Sequence, residues 1–361
     1  MRILRVAQKL YPEVPGGGTY HVHAMSRDQA AMGHDITVLT VADGLDRPQW
    51  ERRAGYTVVR QPRTATLLGN DLSVGVARFL RRVGAFDVVH AHSHLYASTN
   101  LAAVARRFTE TPLAITNHGL YSQNAPERLF DLYLRTAGRW TFDQADLLFC
   151  YTAEDRRRVR SVGVDSPVAV VPNGVDTDRF TPDGPTSDRI DHDGPVVLFV
   201  GRLVEGKRPQ DAVRAVAGLP PSLDARLYVV GDGPMRSELE AMAGEETTFL
   251  GQVPYDAMPA IYRSGDVLVL PSRAEGLPRT VLEAFASGVP VVSSYLEHTA
   301  PIVEEAGETV PLGDVERYRM ALRRVLHESR RLGSRGRETA LDRFQWRETV
   351  ERTTARLEGL R

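Results

Sequence analysis

Apolar residues along this 361-residue chain fall into two alternating patterns. Some are short continuous or β-branched runs; others recur every three or four positions. Ile3 to Ala7 reads as a strand and is followed by the turn-rich stretch Pro12-Glu-Val-Pro-Gly-Gly-Gly18. Helical spacing then holds from Tyr20 to Met32 and stops at Gly33, a residue suited to the end of a helix. Asp35 to Thr40 and Thr57 to Arg60 are β-branched runs, and Leu72 to Val83 is amphipathic. Phe86 to His90, Leu113 to Asn117 and Leu147 to Tyr151 are further strand-like runs, separated by helical stretches. Strands of this length alternating with helices predict βαβ units and a mainly parallel sheet.

The alternation pauses at residues 181–194, a polar stretch rich in Asp, Gly and Pro that has the composition of a linker. It then restarts. Val196 to Val200, Arg226 to Val230, Phe249-Leu250, Asp266 to Leu270 and Val289 to Ser293 read as strands. Gln210 to Ala217, Met235 to Ala243 and Thr280 to Ser287 read as helices, and the arginine-rich tail from about Val315 is helical. The pattern predicts two doubly wound α/β domains joined near residue 185. Length agrees, since 361 residues suit two domains that each bury a core. No repeat of solenoid period occurs.

Composition narrows the function classes. The hydrophobic and charged fractions, 42% and 25%, are those of a soluble globular protein. Net charge is −1, so there is no electrostatic case for nucleic acid. The single cysteine, Cys150, forbids an internal disulfide and reads as a core residue in a reducing compartment. No apolar run approaches a membrane span, and the first residues lack a secretory apolar core, so a cytoplasmic protein is expected. Residues 1–180 carry 22 basic and 18 acidic groups, and residues 181–361 carry 23 and 28. A mildly basic first half fits either an anionic acceptor or membrane surface, or ordinary scatter. The run Arg156-Arg-Arg158 reads as a solvated helix face, with membrane contact as its alternative.

In open parallel sheets, ligands bind beyond the carboxyl ends of strands, where loops lead into helices. Gly16-Gly17-Gly18 is one such junction; it lacks the dinucleotide fingerprint and the P-loop lysine, and it reads as an anion-approaching loop or a plain turn. A second follows Val200: Gly201-Arg202, then Lys207. Arginine offers a fork for phosphate and lysine a point charge. Only Lys9 and Lys207 are lysines among 45 basic residues, which singles out Lys207. Gly231-Asp-Gly-Pro234 is a third turn. The fourth junction holds Glu275 in a loop and Glu283 on the helix that Pro278 helps to start. Two such carboxylates suit sugar hydroxyls as acceptors, the rival being a glycosidase acid–base pair. His90, His92 and His94 alternate, a spacing open to a metal site but better read as core or cleft histidines.

These junctions, with Val171-Pro-Asn-Gly-Val-Asp-Thr-Asp-Arg-Phe180 and Phe344-Gln-Trp346, resemble a GT-B retaining glycosyltransferase of family 4, the group that includes phosphatidylinositol mannosyltransferases. The resemblance implies two Rossmann-like domains facing each other across a cleft. The acceptor-side domain would span 1–180, with a C-terminal helix at about 345–361 crossing back to it. The nucleotide-sugar domain would span 181–344. It also implies roles: Arg202 and Lys207 on the donor diphosphate, Glu275 on the transferred sugar, Glu283 on the ribose, and backbone near Val253 on the nucleobase. Gly16 and Gly17 would approach phosphate or acceptor. His118, in Thr116-Asn-His-Gly119, matches the histidine that contacts the reacting sugar. Gly276, Leu277, Pro278, Arg279 and Thr280 would line the donor. Many relatives have Glu-Gly-Phe-Gly-Leu there; this chain has Glu-Gly-Leu-Pro-Arg, and Pro278 lacks an N–H.

The expected activity is therefore hexose transfer, with retention, from a GDP- or UDP-linked sugar to a glycan or lipid-linked acceptor, with no metal or other cofactor. Peripheral contact with the inner membrane face through the N-terminal domain accompanies that reading. A non-hydrolysing sugar-nucleotide epimerase and a non-catalytic nucleotide- or glycan-binding paralogue are the alternatives.

Overall fold

The computed structural model describes residues 1–67, 70–120 and 127–361. They form two compact units. One comprises Met1–Leu120, 127–172 and Thr349–Arg361; the other is Asn173–Glu348.

The first unit contains β1 (Arg2–Val6), β2 (Asp35–Ala42), β3 (Gln49–Arg53), β4 (Tyr56–Pro62), β5 (Ala65–Leu67), β6 (Asn70–Leu72), β7 (Val88–His92), β8 (Leu113–Thr116), β9 (Leu147–Cys150) and β10 (Val168–Val170). Eight of these form one sheet in the order β10-β9-β8-β7-β1-β2-β4-β3, while β5 and β6 pair separately. β1 is central and fully flanked, and alternation along it divides the core. Leu4 and Val6 join Leu39, Val59, Val89 and Ala91 on one face; Ile3 and Ala7 join Ile36, Val38, Val58 and Val88 on the other. Arg5 and His90 are register partners and share the second face, which explains two polar side chains at 0% exposure.

The sheet is parallel except where β3 runs against β4. That edge strand, Gln49-Trp-Glu-Arg-Arg53, has no apolar alternation and so left no periodic signal. Charge holds it instead. Glu51 bridges Arg53 and Arg60, each at 2.7 Å, and Glu13 reaches the same two arginines at 2.5 and 2.6 Å. The last helix, Trp346–Glu358, returns to this unit from Thr349 onward. Thr349 Oγ1 donates to Pro172 O at 3.0 Å, Gln29 Nε2 donates to Thr354 Oγ1 at 2.8 Å, and Leu357 is wholly buried.

The second unit is a six-stranded sheet, β11 (Val196–Val200), β12 (Arg226–Val230), β13 (Thr247–Gly251), β14 (Val267–Leu270), β15 (Val291–Ser294) and β16 (Gly307–Val310). The order β13-β12-β11-β14-β15-β16 reverses direction beside β11, between β12 and β14, and every pairing is parallel. Loops leaving β11 and β14 therefore emerge side by side, where an open sheet binds ligands. Residues 181–194 are irregular and attach to this unit: Ser187 N donates to Ser264 Oγ at 2.9 Å and Arg263 Nε to Pro185 O at 2.7 Å. Among the described residues no helix is long and apolar enough to cross a membrane.

Candidate functional site

The loop after β11 is shaped by the loop after β12. Gly201 N donates to Val230 O at 2.9 Å and Leu203 N to Asp232 O at 3.0 Å, while Leu203 O accepts from Met235 N at 3.1 Å. The approach demands glycine. A Cβ on Gly231 would lie 1.9 Å from Gly201 O, and one on Gly233 would lie 2.4 Å from Leu203 O. Leu203 and Val204 turn inward, which leaves Arg202 exposed and without a side-chain hydrogen bond or ion pair among the described residues. The loop closes at Arg208, held at φ +50° by a twofold bond to buried Asp211, and Pro209 then starts a helix.

That closure directs Lys207 toward the loop after β14, where its Nζ makes an ion pair with Glu275 Oε1. Glu275 is 5% exposed. Three contacts fix the loop that carries it: Arg273 N donates to Gly206 O at 2.8 Å, His298 Nε2 donates to Glu275 O at 2.5 Å, and Ser294 Oγ donates to Ser272 O. The N–H groups of Gly276, Leu277 and Thr280 have no acceptor among the described residues. Pro278 caps the helix Arg279–Ala286, so part of that amide edge sits at a helix N-terminus. A free guanidinium, an ammonium held by a carboxylate, and open amides suit an anion linked to a hydroxyl-rich group.

Glu283 lies deeper. Its Oε1 accepts from Tyr255 Oη at 2.8 Å and its Oε2 from Tyr262 Oη at 3.0 Å, and burial raises its pKa. Arg279 is also turned inward. It donates to Gly174 O at 3.2 Å and Tyr255 Oη at 3.1 Å, and lies over the Trp346 ring. Its guanidinium thus organises the interior, and its backbone is what faces the loop. Asn173 and Gly174 strap this loop from behind, through Asn173 Nδ2 to Leu277 O at 3.5 Å, while Val175 bridges to Phe344 and Trp346. Val253 is half-buried in the turn after β13, two residues before Tyr255. The structure thus gathers Lys207, Glu275 and the 276–280 loop directly, and joins Glu283 to them through one helix.

Gly16, Gly17 and His118 belong to the first unit. Gly16 has φ +157° and ψ 157°, a region open only to glycine, and caps the helix Gly17–Ala31. A Cβ on Gly18 would touch the His118 ring at 3.7 Å. His118 is bonded at both nitrogens, Nδ1 to Tyr151 Oη at 2.8 Å and Nε2 to His92 Nδ1 at 3.1 Å. Desolvation lowers its pKa to about 4, so the ring is neutral at pH 7. His90 and His92 follow the strand alternation, with rings 4.4 Å apart. Ser93, at φ +65°, breaks it, and His94 packs instead against Phe130, Tyr133 and Phe142.

No cluster of three potential metal-ligating side chains occurs among the described residues. The spacing Asp-x-Asp does occur, at Asp176–Asp178 and Asp191–Asp193. Asp176 Oδ1 accepts the N–H groups of Asp178 and Arg179 at 3.2 and 3.1 Å, a turn rather than an open ligand. Tyr255, Tyr262 and His298 gave no recognisable motif, and Arg179 was legible only as part of the Val171–Phe180 segment; each makes its contacts across 20 or more residues.

Comparison with known proteins agrees with this geometry. Residues 15–179 match the model described as Glycosyltransferase Family 4, and residues 194–328 match Glycosyl transferases group 1. A D-inositol 3-phosphate glycosyltransferase from Acidothermus cellulolyticus is 31% identical, covering 97% of this chain and 88% of its own. A GDP-mannose-dependent alpha-(1-6)-phosphatidylinositol monomannoside mannosyltransferase from Mycolicibacterium smegmatis is 30% identical over 91% of each chain. Anabaena Alr3699/HepE, solved with UDP-glucose, shares the fold at TM-score 0.80 and 20% identity, covering 99% of this chain and all of that one. Two Rossmann-like halves and these matches over nearly the whole chain make this a GT-B glycosyltransferase. The chain belongs to glycosyltransferase family 4.

Proposed function

We propose that the protein transfers a hexose, with retention at the anomeric carbon, from a GDP- or UDP-linked sugar to a glycan or lipid-linked acceptor. The observation that carries this reading is the Lys207–Glu275 ion pair beside Arg202, unpartnered among the described residues, and the open amides of Gly276, Leu277 and Thr280. Arg202 and Lys207 take the donor diphosphate and stabilise charge on it as the glycosidic bond breaks. Glu275 accepts hydroxyls of the transferred sugar, Glu283 faces the ribose, and the turn at Val253 meets the base. Gly16 and Gly17 are assigned to phosphate or acceptor, and His118 to the reacting sugar. A front-face transfer assisted by the departing diphosphate is the mechanism this reading prefers over a double displacement.

The relatives' names supply the acceptor classes to try, inositol phosphate and a phosphatidylinositol mannoside, and the donors GDP-mannose and UDP-glucose. Peripheral attachment to the inner membrane face is part of the same proposal where the acceptor is a lipid. The test is incubation of purified protein with each donor and acceptor, with NMR of the new anomeric centre. An axial donor linkage conserved in product supports the reading. Inversion overturns retention, and sugar isomerisation with donor alone overturns transfer.

A further inference from the structure

With Glu283 assigned to the donor ribose, a reading on which the role of Tyr255 rests, the contacts around this carboxylate fix its orientation. Arg279 Nη2 lies 3.1 Å from Tyr255 Oη, and an arginine can only donate. The tyrosine oxygen is therefore the acceptor there, and its single proton is directed at Glu283 Oε1, 2.8 Å away. The chain Arg279→Tyr255→Glu283 thus has one polarity when Glu283 is ionised. Tyr262, at 0% exposure, donates to the other carboxylate oxygen at 3.0 Å. Each oxygen of Glu283 so receives one tyrosine proton; Arg279 Nε, 3.5 Å from Oε1, adds an ion pair without a hydrogen bond, so a second lone pair remains on each oxygen.

Tyr255 is itself clamped. The Arg179 guanidinium sits 4.5 Å from its ring centroid, Arg179 Nη2 donates to Tyr255 O at 2.8 Å, and the Phe180 ring packs at 5.7 Å. The hydroxyl cannot swing away without breaking the contacts on the ring and on Arg279, and Arg179 pins the backbone from which the side chain springs. Tyr255 also stands two residues beyond Val253, in the turn assigned to the base. One side chain thus links the position of that turn to the orientation of the carboxylate.

We infer that Tyr255 is a positioning residue for nucleoside recognition: held by Arg179 and Arg279, it orients Glu283 so that the remaining lone pairs are aligned for the vicinal hydroxyls of the donor ribose. The ligand class is a ribonucleoside diphosphate, and Glu283 is the group that touches it.

The experiment compares calorimetric binding of GDP and UDP with that of their 2′,3′-dideoxy forms to wild-type protein, Tyr255→Phe and Glu283→Gln, and measures kcat and KM with the corresponding sugar donor. Wild type should favour the ribose form by at least about 10-fold, as one charge-assisted hydrogen bond implies. Tyr255→Phe should lose about 5–10-fold on the ribose form only, raising KM with kcat nearly unchanged. Equal losses on both forms would mean that the phenol only supports the turn, and no loss would remove it from recognition; either overturns the inference. A wild type that binds both forms equally would instead refute the assignment of Glu283 to the ribose, separately from Tyr255. Should Glu283→Gln misfold, the wild-type and Tyr255→Phe arms still decide.

Discussion

Lys207 Nζ and Glu275 Oε1 form an ion pair although 68 residues separate them, because β11 and β14 are neighbours and their loops leave the sheet together. The pair is largely buried, with side chains 15% and 5% exposed. Removing Lys207 leaves a carboxylate without its counter-charge in a poorly hydrated place. Lys207→Ala should lower kcat/KM by about 10²-fold or more, as loss of a placed electrostatic group does, and cost about 3 kcal/mol of stability. Glu275→Gln should retain more stability than Lys207→Ala but lose transfer similarly. Steady-state assays and urea unfolding of both variants check this, and unchanged transfer would refute both assignments.

The interlock of the β11 and β12 loops makes a sharper structural prediction. Gly231→Ala puts a methyl 1.9 Å from Gly201 O at φ +128°, so backbone must move. A loss of about 4 kcal/mol is expected, with weakened nucleotide-induced stabilisation in a thermal-shift titration. Gly201→Ala is the control: its Cβ would meet only the Phe199 ring at 3.8 Å. It should change stability by less than about 1 kcal/mol.

His298 bonds the Glu275 carbonyl through Nε2, and so fixes the backbone that carries this carboxylate. His298→Leu should reduce kcat/KM about 10-fold, the size of one lost hydrogen bond at a positioned group. Gln can place an amide donor near the Nε2 position, so His298→Gln should recover most of the rate. Failure of Gln to rescue, with Leu impaired, would mean that ring packing and not the hydrogen bond matters.

Desolvated histidines set an acid limit on the first unit, His90, His92, His94 and His118 all being held neutral by burial. Burial lowers the pKa of His118 to about 4 and of His94 to about 3. An unfolded histidine titrates near 6.5, so between there and these values the unfolded chain binds more protons than the folded one. Stability therefore falls as pH drops from about 6.5, by about 1.4 kcal/mol per pH unit for each histidine, and levels once the folded rings protonate. Urea midpoints at pH 7, 6 and 5 measure the slope. His94→Leu should remove about one proton's worth of it; an unaltered slope would assign the acid sensitivity elsewhere.

Periodicity alone located most of the strands and helices. Val196–Val200 and Arg226–Val230 were legible to the residue because a doubly covered parallel strand is a continuous apolar run. β3 was not, since an edge strand held by Arg53, Arg60, Glu13 and Glu51 needs no apolar face. β16 was missed for a related reason: Gly-Glu-Thr-Val310 at the other sheet's edge is mostly half-buried. Lys207, Glu275 and Glu283 were legible through scarcity and spacing. Their partners Tyr255, Tyr262 and His298 were not.

The order of apolar and polar residues by itself determined two alternating α/β halves and the strand-to-helix junctions between their elements, since burial of strands is a local, repeating demand. Only tertiary structure decided what each charged group touches. Arg279 turns inward to Tyr255 and Gly174, Arg202 stays free, and His94 leaves the face of His90 and His92 at a single positive-φ serine. A buried charge takes whichever partner the packing of distant segments brings within about 3 Å, and no local pattern records that choice.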